Sequence, residues 1–145
     1  MFVGPCANPT VLASALLAYG HTHRSADPTD AASAFRRGLA IAQANGDRQM
    51  ESVHAMNVAS LSVVHAAPVD ALEFSGLAIR TYFDSGSLAY VSGPLGILAA
   101  LFDRLGDYEP AAVISAFADT PVSHATYPEL SRLTSNEIIA SELHI

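Results

Sequence analysis

Histidine is the residue type in this chain with the most chemistry to offer. His21-x-His23, His54 and His65 could serve zinc, which needs three or four converging nitrogen, sulfur or oxygen ligands. The spacing does not supply them. His21 and His23 share an expected turn, His54 and His65 lie eleven residues apart near one helical face, and no Cys/His/Asp cluster at ligand spacing supports either pair. No metal and no cofactor is expected. Nucleophilic chemistry has as little to stand on. Cys6 has Pro5 and Asn8 nearby but no local base to make a thiolate. Ser85-Gly86-Ser87 and Ser92-Gly93-Pro94-Leu95-Gly96 are Gly/Ser turns without the G-x-S-x-G elbow, best explained as helix-start loops. Asp103 and Asp107 stand at i and i+4, a spacing that could serve acid/base work, but at a helix end they are expected to form a solvated face. The sequence predicts no catalytic residue and no enzyme.

The elements that carry these residues are set by composition. With 145 residues, of which 50% are hydrophobic and only 14% charged, the chain can bury a core as one domain without metals or disulfides. All 7 Lys+Arg residues are arginine and the formal net charge is −7. Such a balance argues against duplex nucleic acid, whose binders meet phosphates with Lys/Arg, and against an anionic membrane surface. One cysteine cannot form an internal disulfide, so the fold does not depend on an oxidising compartment. Met1 to His23 has no Asp, Glu, Lys or Arg, but a signal peptide needs a basic start and the first Arg is Arg24. Ser52 to Val69 and Ser85 to Phe102 are similarly uncharged, yet His54, Asn57 and His65, or Gly93, Pro94 and Gly96, interrupt them and fit a membrane span poorly. The expected location is cytoplasmic.

Six prolines, Pro9, Pro28, Pro68, Pro94, Pro110 and Pro128, each precede a helix-compatible run. At a first helical position proline loses nothing, because its missing N–H would have no helical partner. Asp27-Pro-Thr-Asp30 adds a side-chain cap, while Gly46 and Gly106 supply stops. Helices are predicted near 9–20, 28–44, 48–65, 68–83, 94–105, 109–118 and 128–143. Leu95, Leu98, Ala99, Phe102 and Leu105 form one expected buried stripe. The class is all-α.

A 40-residue period runs through the pattern. Ala31, Ala71 and Ala111 lie at that interval, as do Phe35, Ser75 and Ser115, and then Gly38, Ala78 and Ala118. Small residues at i and i+7 share a helix face and let a neighbour approach closely. A period of this size implies stacked helix pairs: antiparallel pairs, about three of them, plus a C-terminal helix.

Leu105-Gly106-Asp107-Tyr108-Glu109-Pro110-Ala111 resembles the turn and second-helix start of a tetratricopeptide-like array, with Gly106 turning, Tyr108 beside it and Ala111 packing. The period is longer than that family's roughly 34 residues, and Ser75 and Ser115 stand where an aromatic is expected. Leu101 to Asp119, Thr120-Pro121 and Tyr127-Pro-Glu-Leu130 together resemble the C-terminal helical region of actinobacterial LuxR-type regulators, multidomain proteins with an ATP-binding module and sometimes a cyclase domain or helix-turn-helix. The likeness implies a repeat domain over residues 1–134, with 135–145 as a tail or helix end. It also implies a regulatory role in transcription or signalling. A lysine-free chain cannot supply the G-x-x-x-x-G-K-[ST] lysine, and no basic recognition helix appears, so the resemblance covers a scaffold without ATPase or DNA-binding parts.

A curved helical stack exposes the inner face of its first helices to a peptide or partner helix. His54, Asn57 and Leu61 on one helix, and Tyr90, Val91 and Leu98 on the next, are the expected groove residues. The expectation is a non-enzymatic module that binds a protein partner or itself as a homodimer, and neither nucleic acid nor membrane. The alternative is a small-molecule sensor with a pocket between helix pairs near Met56, Phe74 and Tyr82.

Overall fold

The computed structural model describes residues 8–65 and 67–118. Six α-helices account for most of them: α1 Pro9–His23, α2 Pro28–Asn45, α3 Arg48–His65, α4 Pro68–Asp84, α5 Ser92–Arg104 and α6 Tyr108–Ala118, with one 3₁₀ turn at Leu88–Tyr90. The fold is all-α, with no strand among the described residues. The expected helix at 128–143, the Thr120-Pro121 and Tyr127-Pro-Glu-Leu130 segments, Cys6 and the boundary at residue 134 lie outside the described residues.

The helix starts follow from proline and side-chain caps. Pro9, Pro28 and Pro68 each open their helix. Asn8 Oδ1 accepts from the Thr10 N–H at 2.9 Å, Asp27 Oδ1 from Asp30 at 3.1 Å and Asp47 Oδ1 from Met50 at 3.1 Å, each satisfying a donor the first turn leaves open. Pro94 and Pro110 instead sit third in α5 and α6. All of the first four N–H groups of a helix lack an internal partner, so proline fits throughout the first turn. Gly46, Gly86 and Gly106 all have φ between 66° and 82°, a left-handed conformation that ends a helix at little cost only for glycine.

Consecutive helices pack on one another, and α3 also touches α1 and α5. That makes α3 the central helix, and nearly every residue from Ser52 to Val63 is buried. Its polar side chains are accommodated by bonds to their own helix: Ser52 Oγ to the Arg48 carbonyl at 2.9 Å, Asn57 Nδ2 to Val53 at 2.8 Å and Ser62 Oγ to Val58 at 2.8 Å. Short polar groups that bond back in this way can stand in a dry interior.

The main core joins Leu39, Ala55, Met56, Ala59, Val63, Ala71, Ala78, Tyr82, Ile97, Ala100 and Leu101. A second cluster holds Ala31, Phe35, Val58 and Leu61. Ala31, Ala71 and Ala111 are fully buried, and each is the fourth residue of its helix. The buried face of α5 carries Pro94, Ile97, Ala99, Ala100 and Leu101. Of the stripe expected there only Ala99 is deeply buried; Leu95, Leu98 and Phe102 are half-buried and Leu105 is exposed. Because α5 is apolar almost all round, periodicity could not select its inward side.

Candidate functional site

Two regions stand out: a polar and aromatic cluster where α1, α2 and α3 meet, and a set of exposed apolar side chains on α4–α6 and the turns between them. The first is built on glycine. α1 was expected to end near Gly20, but Gly20 is a buried helical residue and the helix continues to His23. A Cβ at Gly20 would overlap the Phe35 ring from α2, and a Cβ at Gly38 would overlap the His54 imidazole from α3. Each glycine thus admits the ring of the next helix. His21 and His23 consequently lie in the last turn of α1 rather than in a loop. His21 meets Phe35 edge-on with ring centroids 5.5 Å apart, and His23 stacks on Tyr19 at 4.0 Å.

His54 is fully buried. Its Nε2 lies 3.0 Å from the Ala13 carbonyl oxygen of α1, which can only accept, so Nε2 carries the hydrogen. Nδ1 is buried and has no hydrogen-bond partner among the described residues. Burial pushes the imidazole below the ordinary histidine range; the Ala13 bond opposes that, and the nearby His21 reinforces it. His21 is itself lowered, by burial first and by Arg24 second. Arg24 Nη1 donates to Asn57 Oδ1 at 3.0 Å and Nη2 to Ser60 Oγ, so one guanidinium from the end of α1 spans a turn of α3. Tyr19 donates its hydroxyl to Asp30, which holds the phenol above its usual pKa. The His54–Ala13, Arg24–Asn57 and Tyr19–Asp30 bonds tie neighbouring helices together. No group of three His, Cys, Asp or Glu that could hold a metal occurs among the described residues.

The six groove candidates do not line one open surface. His54, Asn57 and Leu61 are buried because α3 has neighbours on several sides. Tyr90 is exposed and stacks on Tyr82, with centroids 5.7 Å apart. Val91 and Leu98 are partly buried against the main core. Met56, Tyr82 and Phe74 all belong to or pack on that same core, and Met56 lies over Gly93.

Among the residues singled out by the period, Phe35, Gly38, Ser75 and Ala78 are buried, Ser115 is half-buried and Ala118 closes α6. Gly106 makes its turn with φ 82° and Tyr108 is exposed. Asp103 and Asp107 do not share a solvated face, since Asp103 is buried and Asp107 exposed. Likewise His65 is exposed at the end of α3 while His54 is enclosed.

The second region was not read from the sequence. On α4, Val69, Leu72 and Phe83 are exposed and fall within about 60° of one another at 100° per residue, with Gly76 and Arg80 between them. Leu88 and Tyr90 in the 3₁₀ turn, Leu105 and Tyr108 at the α5–α6 turn, and Val113 and Phe117 on α6 are exposed as well, Phe117 by 76%. Among the described residues of α1–α3, by contrast, the exposed large hydrophobics are Val11 and Val64. The asymmetry depends on which face a helix turns outward, a choice the apolar runs of α4–α6 leave open.

No helix among the described residues is long and apolar enough to cross a membrane. No family model, no curated protein and no solved structure matches the chain.

Proposed function

We propose that the chain is a non-enzymatic protein–protein interaction module, a tetratricopeptide-like stack of helix pairs serving a transcription or signalling regulator without ATPase or DNA-binding parts of its own. The observation that carries this reading is the exposure of Val69, Leu72 and Phe83 along one side of α4, together with exposed Val113 and Phe117 on α6, since exposed apolar side chains favour association. Residues 67–118 also carry Asp70, Glu73, Asp84, Asp107 and Glu109 outside the core, against Arg80 and Arg104. An acidic rim around apolar anchors selects a basic amphipathic helix as the partner and disfavours a second copy of an equally acidic chain.

The test uses two fluorescent helical peptides with the same leucine face, one with arginine and one with glutamate on the polar face. The arginine peptide is expected to bind in a salt-sensitive manner, the glutamate peptide is not, and Phe83→Asp or Phe117→Asp weakens the complex. If neither peptide binds and light scattering shows a dimer that Phe117→Asp dissolves, the partner is a second copy and the charge argument fails. A monomer that binds neither peptide overturns the reading.

A further inference from the structure

The His54 ring occupies a position that tolerates one protonation state. Its Nε2–H is committed to the Ala13 carbonyl of α1 at 3.0 Å. Its face lies against Gly38 of α2, where even a methyl group would overlap it, and the Phe35 ring stands 6.1 Å away, centroid to centroid. Nδ1 is buried and meets no hydrogen-bond acceptor among the described residues. From α1 comes His21, which like His54 gains positive charge on protonation, and beyond it Arg24, already positive and bonded to Asn57 and Ser60. From α2 come Gly38 and Phe35, neither of which titrates, and the carboxylate of Asp30, which accepts from Tyr19. α3 itself brings Asn57 and Ser60, both uncharged and both bonded elsewhere. On the side of Phe35, Val58 and Leu61 the cluster is completed by Phe74 of α4.

We infer that His54 is a proton-operated latch between α3 and the α1–α2 pair: a second proton on Nδ1 finds no acceptor in the closed seat, and taking it up releases α1 from α3. No bond is made or broken other than the N–H formed from a solvent proton and the hydrogen bond to Ala13 that is lost. The remaining contacts between α1 and α3 are few, apart from Arg24 on Asn57 and Ser60, whereas α3 is packed by α4 and α5 on its other sides. α1 packs extensively on α2 and only lightly on α3, so opening is confined to the contact of α1 with α3, and α4–α6 stay folded.

Amide hydrogen exchange on the full chain, corrected for intrinsic rates, reads this directly. Between about pH 7.5 and pH 5.5 the open state of a histidine barred from protonation in the closed form gains roughly tenfold in population. Amides of Ala13 to Tyr19 should therefore exchange roughly tenfold faster at the lower pH, while those of Ala99 to Phe102 do not change. His54→Gln keeps an N–H donor for Ala13 without a titratable ring, and should flatten the response. A measurement on the unaltered chain stands beside it: the imidazole nitrogen spectrum should show the Nε2–H form throughout the range in which α1 stays protected. The latch is overturned if His54 protonates at an ordinary pH with α1 still protected, if α1 exchange is indifferent to pH, or if His54→Gln retains the acid response.

Discussion

The His54 imidazole lies against the backbone of Gly38, so that α2 and α3 approach through a ring on one side and the absence of a side chain on the other. The same device recurs one helix earlier with Phe35 on Gly20. Both rings belong to helices that begin within a few residues of the preceding one, at Pro28 and Arg48. The short turns fix the register in which ring meets glycine.

Gly38→Ala should destabilise the chain by about 1–3 kcal/mol, the usual cost of forcing extra volume into a packed interior, measured by urea denaturation. Combining it with His54→Ala should recover part of the loss, because residues in contact do not add. Strict additivity would show that the ring is not what Gly38 accommodates.

Phe35→Ala should cost about 3–5 kcal/mol by emptying a fully buried aromatic position. Gly20→Ala should be harmful in the native sequence and close to neutral in the Phe35→Ala background, where the methyl group enters vacated space. Thermal melts of the four proteins test the pair.

Arg24→Gln should lower stability by about 1–3 kcal/mol, because Asn57 and Ser60 lose a charged donor in a partly buried setting. The loss should persist in high salt, unlike that from breaking the Arg36–Asp70 pair. That pair, 3.5 Å apart with both side chains substantially exposed, belongs to a class contributing about 0–1 kcal/mol.

Tyr82 gives an alkaline counterpart to the histidines. Burial pushes its phenol up to about 12, with Tyr90 adding to the shift. Since the folded form then holds a proton that the unfolded form releases near its ordinary pKa of about 10, stability is full below that value and falls as pH rises toward 12. Tyr82→Phe should remove this part of the alkaline loss in melts taken across that range. His54 and His21 have the opposite sign: their lowered values mean that the unfolded chain takes up protons first, so stability falls as pH drops below about 6.5.

What could be read in advance depended on whether the physics was local. Proline, Asn8, Asp27 and the glycines at 46 and 106 act within a few residues, and they placed most helix boundaries closely. The first helix runs past its expected end at residue 20 to His23, with Gly20 admitting a ring whose owner, Phe35, is fifteen residues away. Ala31, Ala71 and Ala111 stood out through spacing, and all three are buried at matching helix positions. His54, Asn57 and Leu61, expected on the inner face of a curved stack, are buried instead; the back-bonds of α3 and the reach of Arg24 are not visible from spacing alone. Nor could the outward side of α5 be chosen when leucine, isoleucine and alanine occupy nearly all of it.

The guanidinium of Arg104, at the end of α5, donates to the Val63 carbonyl near the end of α3. On the ribosome these two atoms become available at different times, with forty residues of synthesis between them. Until Arg104 has left the exit tunnel, the last turn of the central helix lacks this donor, and the side of α3 destined for α5 has nothing to cover it. The nascent chain must therefore carry its most buried helix half-finished, so a pause before residue 104 is the interval in which a holdase chaperone has most to protect.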